Sequence, residues 1–158
     1  MRGTTSALRL LFGLGVGSDY DGEWVYPGTG APFHIFDGFA LVNRLLCFAG
    51  PPNSRQGRAT REMVHNCRRH LTATLDILQP TIAIQQGKSV SKWTDSVMTP
   101  GRTYSTNLRE AFLGDHRVLV CSFSHPSARG NLRWGDSLSA PYLTEVVRPT
   151  LLSALRRL

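Results

Sequence analysis

The chain has 158 residues, enough for a single domain with a hydrophobic core, and it contains no uninterrupted apolar run long enough to cross a membrane. Three cysteines are an odd number, which excludes a complete disulfide framework, and we expect a cytoplasmic protein. Lys and Arg exceed Asp and Glu by 18 to 11, and all but two of these cations are arginine. A guanidinium suits phosphate and stacks on bases, so the charge favours a nucleic-acid partner over an arginine-rich composition without function.

The N-terminal part predicts one helix and one strand. Thr4–Ser6 supply N-cap candidates for a helix that carries the apolar residues of Ala7–Phe12. Residues 18–32 are rich in Gly, Pro and Asp, which is typical of a long loop. A strand is expected over Phe36–Val42, ending at Asn43.

The middle of the chain contains the clearest helical pattern. Thr60 is placed to begin a helix, and Pro80 to end it. Apolar residues recur at spacings of four or three, which is the pattern of one buried helix face; they are Met63, Cys67, Leu71, Leu75 and Leu78. A short apolar strand is then expected over 81–84.

The C-terminal half predicts further alternation of helix and strand. We expect a brief helix over 89–93, a polar stretch over 94–107, a turn of helix near Leu108–Phe112 and a buried strand over 117–123.

Pro141 suits the first turn of a last helix, which Pro149 should kink or restart. Alternating strands and helices indicate a single three-layer α/β/α domain over 1–158, with a short, mainly parallel sheet.

His125-Pro126-Ser127-Ala128-Arg129 directly follow the apolar run that ends at Phe123. Open α/β sheets bind ligands at the carboxyl ends of their strands, so these polar residues form a candidate site.

The order of several motifs resembles the uracil-DNA glycosylase superfamily, particularly its iron–sulfur branches. Asn43 ends a predicted strand and Cys47 follows four residues later. The matching features further along are Pro51-Pro52, Arg55, Glu62, Cys67, Gly87 and the segment that begins with His125.

This resemblance implies a role for each matched residue in the excision of uracil from DNA. Asn43 would read uracil, because an amide both donates and accepts hydrogen bonds. His125 would stabilise the charge that develops on the leaving base. Ser127 would contact a phosphate, and Arg129 to Arg133 would form the loop that enters the DNA groove. A monomer that binds uracil-containing DNA is the expected assembly.

The chain departs from the family pattern at its start. Family members begin with a Cys-x-x-Cys pair, a strand and a glycine-rich first catalytic motif, none of which precedes the matched region. Cys47 and Cys67 are therefore two of the four ligands that a 4Fe-4S cluster needs. We expect an N-terminally incomplete domain that lacks the first strand of the family sheet. This chain alone should hold no cluster and excise little or no uracil.

Two other interpretations stay open. The chain could be a catalytically inactive remnant that binds DNA, or a generic α/β domain whose arginines are only compositional. Asn43 would then cap a helix, Cys67 would be a buried thiol and His125 would only form a turn.

Overall fold

A computed structural model describes residues 2–17, 23–43, 45–46, 50, 60–87, 94–126 and 128–158. These residues form a mixed α/β fold. Its helices are α1 (Arg2–Leu11), α2 (Arg61–Leu78) and α3 (Arg148–Leu155). Its strands are β1 (Trp24–Val25), β2 (Phe33–His34), β3 (Ile82–Gln86), β4 (Thr99–Ser105), β5 (Leu108–Leu113) and β6 (His116–Phe123).

The main sheet has the order β3-β6-β5-β4. Only β3 and β6 pair in parallel, whereas β6 with β5 and β5 with β4 pair antiparallel. The expectation of a mainly parallel sheet is therefore wrong for the described strands. So is the expected turn of helix at Leu108–Phe112, which lies in β5. The Ser105–Leu108 and Leu113–His116 pairs close two-residue connections, too short for the crossover that parallel neighbours require.

The buried strand predicted over 117–123 is confirmed as β6. Its side chains alternate between two buried clusters, because successive residues of a strand point to opposite faces. Val118 and Val120 belong to a cluster that includes Leu75 of α2. Leu119 and Cys121 belong to a second cluster, to which α1 and α3 also contribute. Both faces of β6 are covered, which explains its uninterrupted apolar sequence.

The helix predicted after Thr60 is also confirmed. The Thr60 hydroxyl accepts a hydrogen bond from the backbone N–H of Met63 at 3.2 Å, which caps the first turn of α2. Gln79 adopts a left-handed conformation with φ 40°, and its N–H reaches the Leu75 carbonyl at 2.9 Å. Pro80 then follows the helix, as expected.

The last helix restarts where the proline predicts. Residues Leu143–Val147 form a π-helical segment, and α3 begins at Arg148 with Pro149 in its first turn. Proline lacks a backbone N–H, so it is tolerated at a helix start but breaks a continuous ladder.

The strand expected over Phe36–Val42 is wrong. β1 and β2 instead pair into a two-stranded ribbon, followed by a 3₁₀ helix over Ile35–Asp37, and residues 39–43 have no regular secondary structure. The helix expected over 89–93 lies outside the described residues. None of the described helices is long and apolar enough to cross a membrane.

Candidate functional site

Parallel pairing of β3 and β6 brings Gly87 beside His125 at the carboxyl ends of both strands. The Gly87 N–H donates to the Phe123 carbonyl at 2.8 Å, which continues the ladder to the end of β6. A Cβ placed on Gly87 would lie 3.9 Å from His125 Cβ and 4.0 Å from His125 Cδ2. Glycine at this position, with φ 107°, therefore leaves one side of the exposed imidazole uncovered.

The segment after His125 forms a loop over residues 125–133, which we call the basic loop. Its two ends are held together by Ser124 and Trp134. The Trp134 Nε1–H donates to the Ser124 carbonyl at 2.9 Å, and the Ser124 hydroxyl donates to the Leu132 carbonyl at 2.8 Å. The Ser124 N–H in turn donates to Tyr142 Oη at 2.9 Å. Trp134 is fully buried, so the base of the loop belongs to the core.

The surface of the basic loop is positively charged. Arg129 and Arg133 are both exposed, and neither makes an ion pair with any residue that the structure describes. Between them, Gly130 has φ 61° and Leu132 is 43% exposed. Ser127, the proposed phosphate contact, lies outside the described residues. Two guanidiniums on a loop fixed at both ends are suited to a phosphate backbone.

Helix α1 packs against the base of this loop. A Cβ on Gly3 would come within 2.5 Å of Trp134 Cβ, so the close approach of the helix requires glycine. The buried Ser6 hydroxyl lies 3.3 Å from the Gly135 carbonyl and donates to the Gly17 carbonyl at 2.7 Å. These contacts attach the N-terminal half of α1 to the loop that carries the site.

Two glutamines at the end of β3 form polar contacts that sequence reasoning missed. Gln85 is buried; its amide donates to the Thr94 hydroxyl, and its carbonyl oxygen accepts from the Ser122 hydroxyl at 2.8 Å. Gln86 donates to the Thr4 hydroxyl of α1 at 3.2 Å. The available signal was the change from an apolar strand to two amides directly before Gly87. Buried amides require hydrogen-bond partners, so they mark a polar strand end.

Asn43 is not joined to this group of residues. It is exposed and follows irregular chain rather than a strand, and it makes no hydrogen bond with a described residue of the basic loop. The structure therefore brings His125, Gly87, Arg129 and Arg133 to one edge of the sheet and leaves Asn43 in a separate segment.

The cysteines proposed as cluster ligands are only partly described. Cys67 is buried on α2 and lines an open cavity of about 870 Å³, together with His65 and His70, whereas Cys47 lies outside the described residues. In the described part of the chain, no group of three or more His, Cys, Asp or Glu side chains is arranged to hold a metal ion. A four-iron cluster needs four ligands, so the described residues alone do not fit one.

Comparison of the chain with protein-family models, with curated proteins and with solved structures finds no match. The candidate site is therefore interpreted from its own geometry and chemistry.

Proposed function

We propose that this chain is a DNA-binding domain of the uracil-DNA glycosylase type, which accepts an extruded uracil at the carboxyl ends of β3 and β6. One observation carries the proposal: His125 stands beside the open space at Gly87, at the start of a basic loop whose base is fixed in the core. In this proposal the sheet is the middle of three layers, an arrangement that the two buried clusters on its faces support.

The basic loop supplies the DNA contact. Arg129 and Arg133 neutralise backbone phosphates and release counterions, so affinity falls steeply as salt rises. Ser127 is proposed as a further phosphate contact. Since these contacts carry no base information, they position the strand and leave recognition to the site at the strand ends.

Excision requires the nucleotide to leave the base stack, because the glycosidic bond is inaccessible inside a duplex. The sugar then develops positive charge and the departing uracil develops negative charge. His125 donates a hydrogen bond to that base, and the contact strengthens as the bond breaks. Asn43 is proposed to read the uracil edge through its amide. An iron–sulfur cluster stays a prediction for a form that supplies more ligands than Cys47 and Cys67.

A second candidate is DNA binding without excision. The position of Asn43 favours it, because an exposed side chain outside the strand ends offers no base-reading group at His125. In this version Arg129 and Arg133 retain their role, and His125 has no chemical function.

Two assays on the purified chain distinguish these candidates. In the first, affinity for DNA is measured against salt concentration for the native chain and for a double variant, Arg129→Ala with Arg133→Ala. The variant should lower the slope of log affinity against log salt by about two, since each lost phosphate contact removes roughly one ion. Arg148→Ala with Arg156→Ala removes the same charge from exposed positions of the C-terminal helix and its end, and it should change binding much less.

In the second assay, a uracil-containing oligonucleotide is incubated with the chain and abasic sites are cleaved with alkali. Cleavage that falls by roughly two to three orders of magnitude in His125→Ala supports excision. Salt-dependent binding without cleavage supports the second candidate. Equal binding by the two double variants overturns both.

A further inference from the structure

The ribbon formed by β1 and β2 exposes a row of aromatic rings. Trp24 and His34 are cross-strand partners with ring centroids 6.1 Å apart, and the His34 and Phe36 rings are 5.2 Å apart. Trp24 is 56% exposed, Phe36 is 41% exposed and Tyr26 is 76% exposed. We call these four residues the aromatic face.

The opposite side of the ribbon is fixed to α1. Val25 and Ile35 are buried in one cluster with Leu8, and the Phe33 ring lies 5.3 Å edge-on to Phe12. Because successive strand residues point to opposite faces, this packing directs Trp24 and its neighbours outward.

His34 is held in a defined orientation. Its Nδ1 accepts a hydrogen bond from the backbone N–H of Phe36 at 3.2 Å, which fixes the ring between its two aromatic neighbours. The aromatic face is thus ordered by backbone and core contacts before any ligand arrives, and binding would cost little conformational entropy.

We infer that the aromatic face is a stacking platform for unpaired bases of a nucleic-acid strand that continues from the candidate site; this inference rests on the proposed function. All four side chains are flat rings, which stack on any base. The net charge of +7 complements a phosphate backbone, and the one acidic group at the start of β1, Glu23, is paired with Arg9.

Helix α1 joins the platform to the candidate site. Thr4 binds Gln86 at the end of β3, and Phe12 contacts the inner side of the ribbon. Eight residues at 1.5 Å each separate these points by about 12 Å, which a few nucleotides of single strand can span. A strand that enters the site at His125 can therefore reach the rings.

The test compares two single strands of equal length and charge, an oligothymidylate and a fully abasic strand. The native chain should bind the base-bearing strand at least about five-fold more tightly, given the usual contribution of stacking per base. Trp24→Ala with Tyr26→Ala should abolish that preference. Trp24→Phe keeps a ring, so it should retain the preference and lose the quenching of Trp24 fluorescence. Leu138→Ala, at an apolar side chain that is also largely exposed, should change neither.

Tyr26→Ala alone guards against misfolding, because this side chain is the most exposed of the four. It should weaken the preference while the circular dichroism spectrum stays native. Equal affinity for the two strands overturns the platform but leaves phosphate binding by Arg129 and Arg133 intact. A base preference that persists when both arginines are replaced supports the platform and contradicts the proposed role of the basic loop. A dimer that the Trp24 and Tyr26 double variant dissociates assigns the face to a second copy and overturns the inference.

Discussion

The indole N–H of Trp134 lies 2.9 Å from the carbonyl oxygen of Ser124, ten residues earlier in the chain. This contact closes the base of an otherwise largely exposed loop. It also joins the end of β6 to the hydrophobic cluster shared with α1 and α3, since Trp134 is a member of that cluster. The position of His125 and the folding of the core are therefore linked.

Trp134→Phe should destabilise the protein and loosen the basic loop. The buried Ser124 carbonyl loses its donor, and an unsatisfied buried group costs about 1–3 kcal/mol. The free energy of unfolding from urea denaturation measures the loss. Leu138→Ala, at an exposed position, is the control and should leave stability within about 0.5 kcal/mol of the native value. A fully stable Trp134→Phe would contradict an anchoring role.

Gly87→Ala should also be destabilising, because φ 107° is strained for any residue with a Cβ. The expected cost is about 1–3 kcal/mol. Gly28→Ala is the matched control: a Cβ there meets nothing within 4 Å and the backbone has no positive φ, so stability should change little. Thermal unfolding of both variants gives the comparison, and equal melting temperatures would refute the argument.

Glu110 and Arg117 should give the protein a stability component that depends on pH. Arg117 Nε donates to the Glu110 carboxylate, and its Nη1 donates to the carbonyl of Arg157 at 2.9 Å. The Arg157 guanidinium lies 4.5 Å over the Tyr104 ring, so this group ties the end of the chain to the sheet. The hydrogen bond from Arg117 lowers the pKa of Glu110 below 4.5.

A lowered folded-state pKa stabilises the folded chain above the unfolded pKa, and the effect is lost as pH falls through the folded value. Glu110→Gln should therefore lower the melting temperature at pH 7, and its difference from the native chain should shrink below pH 4.5. Glu145→Gln removes a charge from an exposed position and serves as control. A difference that grows with acidification would reverse the assigned sign.

Cys121 should resist alkylation in the folded protein. Burial raises the pKa of its thiol to about 12, and only the thiolate is an effective nucleophile. Iodoacetamide at pH 8 should label Cys121 in urea but not under native conditions, as peptide mass spectrometry can measure. Labelling at the same rate in both would place Cys121 outside the core.

Local sequence was sufficient where one segment carried both its pattern and its boundary. Thr60 and Pro80 delimit α2, and the stripe through Cys67 and Leu75 marks its buried face. The continuous apolar run of β6 likewise required cover on both sides, which only a central strand obtains. The exposed basic residues of the loop after His125 followed from charge and chain position alone.

Pairing across the sheet was decided by tertiary structure. Residues Leu108–Leu113 include Leu, Arg, Glu and Ala, all good helix formers, yet they form β5 because β6 offers an open edge beside them. The two residues Gly114-Asp115 are a hairpin signal that could have predicted this reversal. Asn43 shows the same limit, since a strand forms only where a partner lies alongside it. Composition and spacing determined which residues are apolar, charged or turn-forming. Which edges meet depended on contacts between segments distant in the chain, and no local pattern contains those contacts.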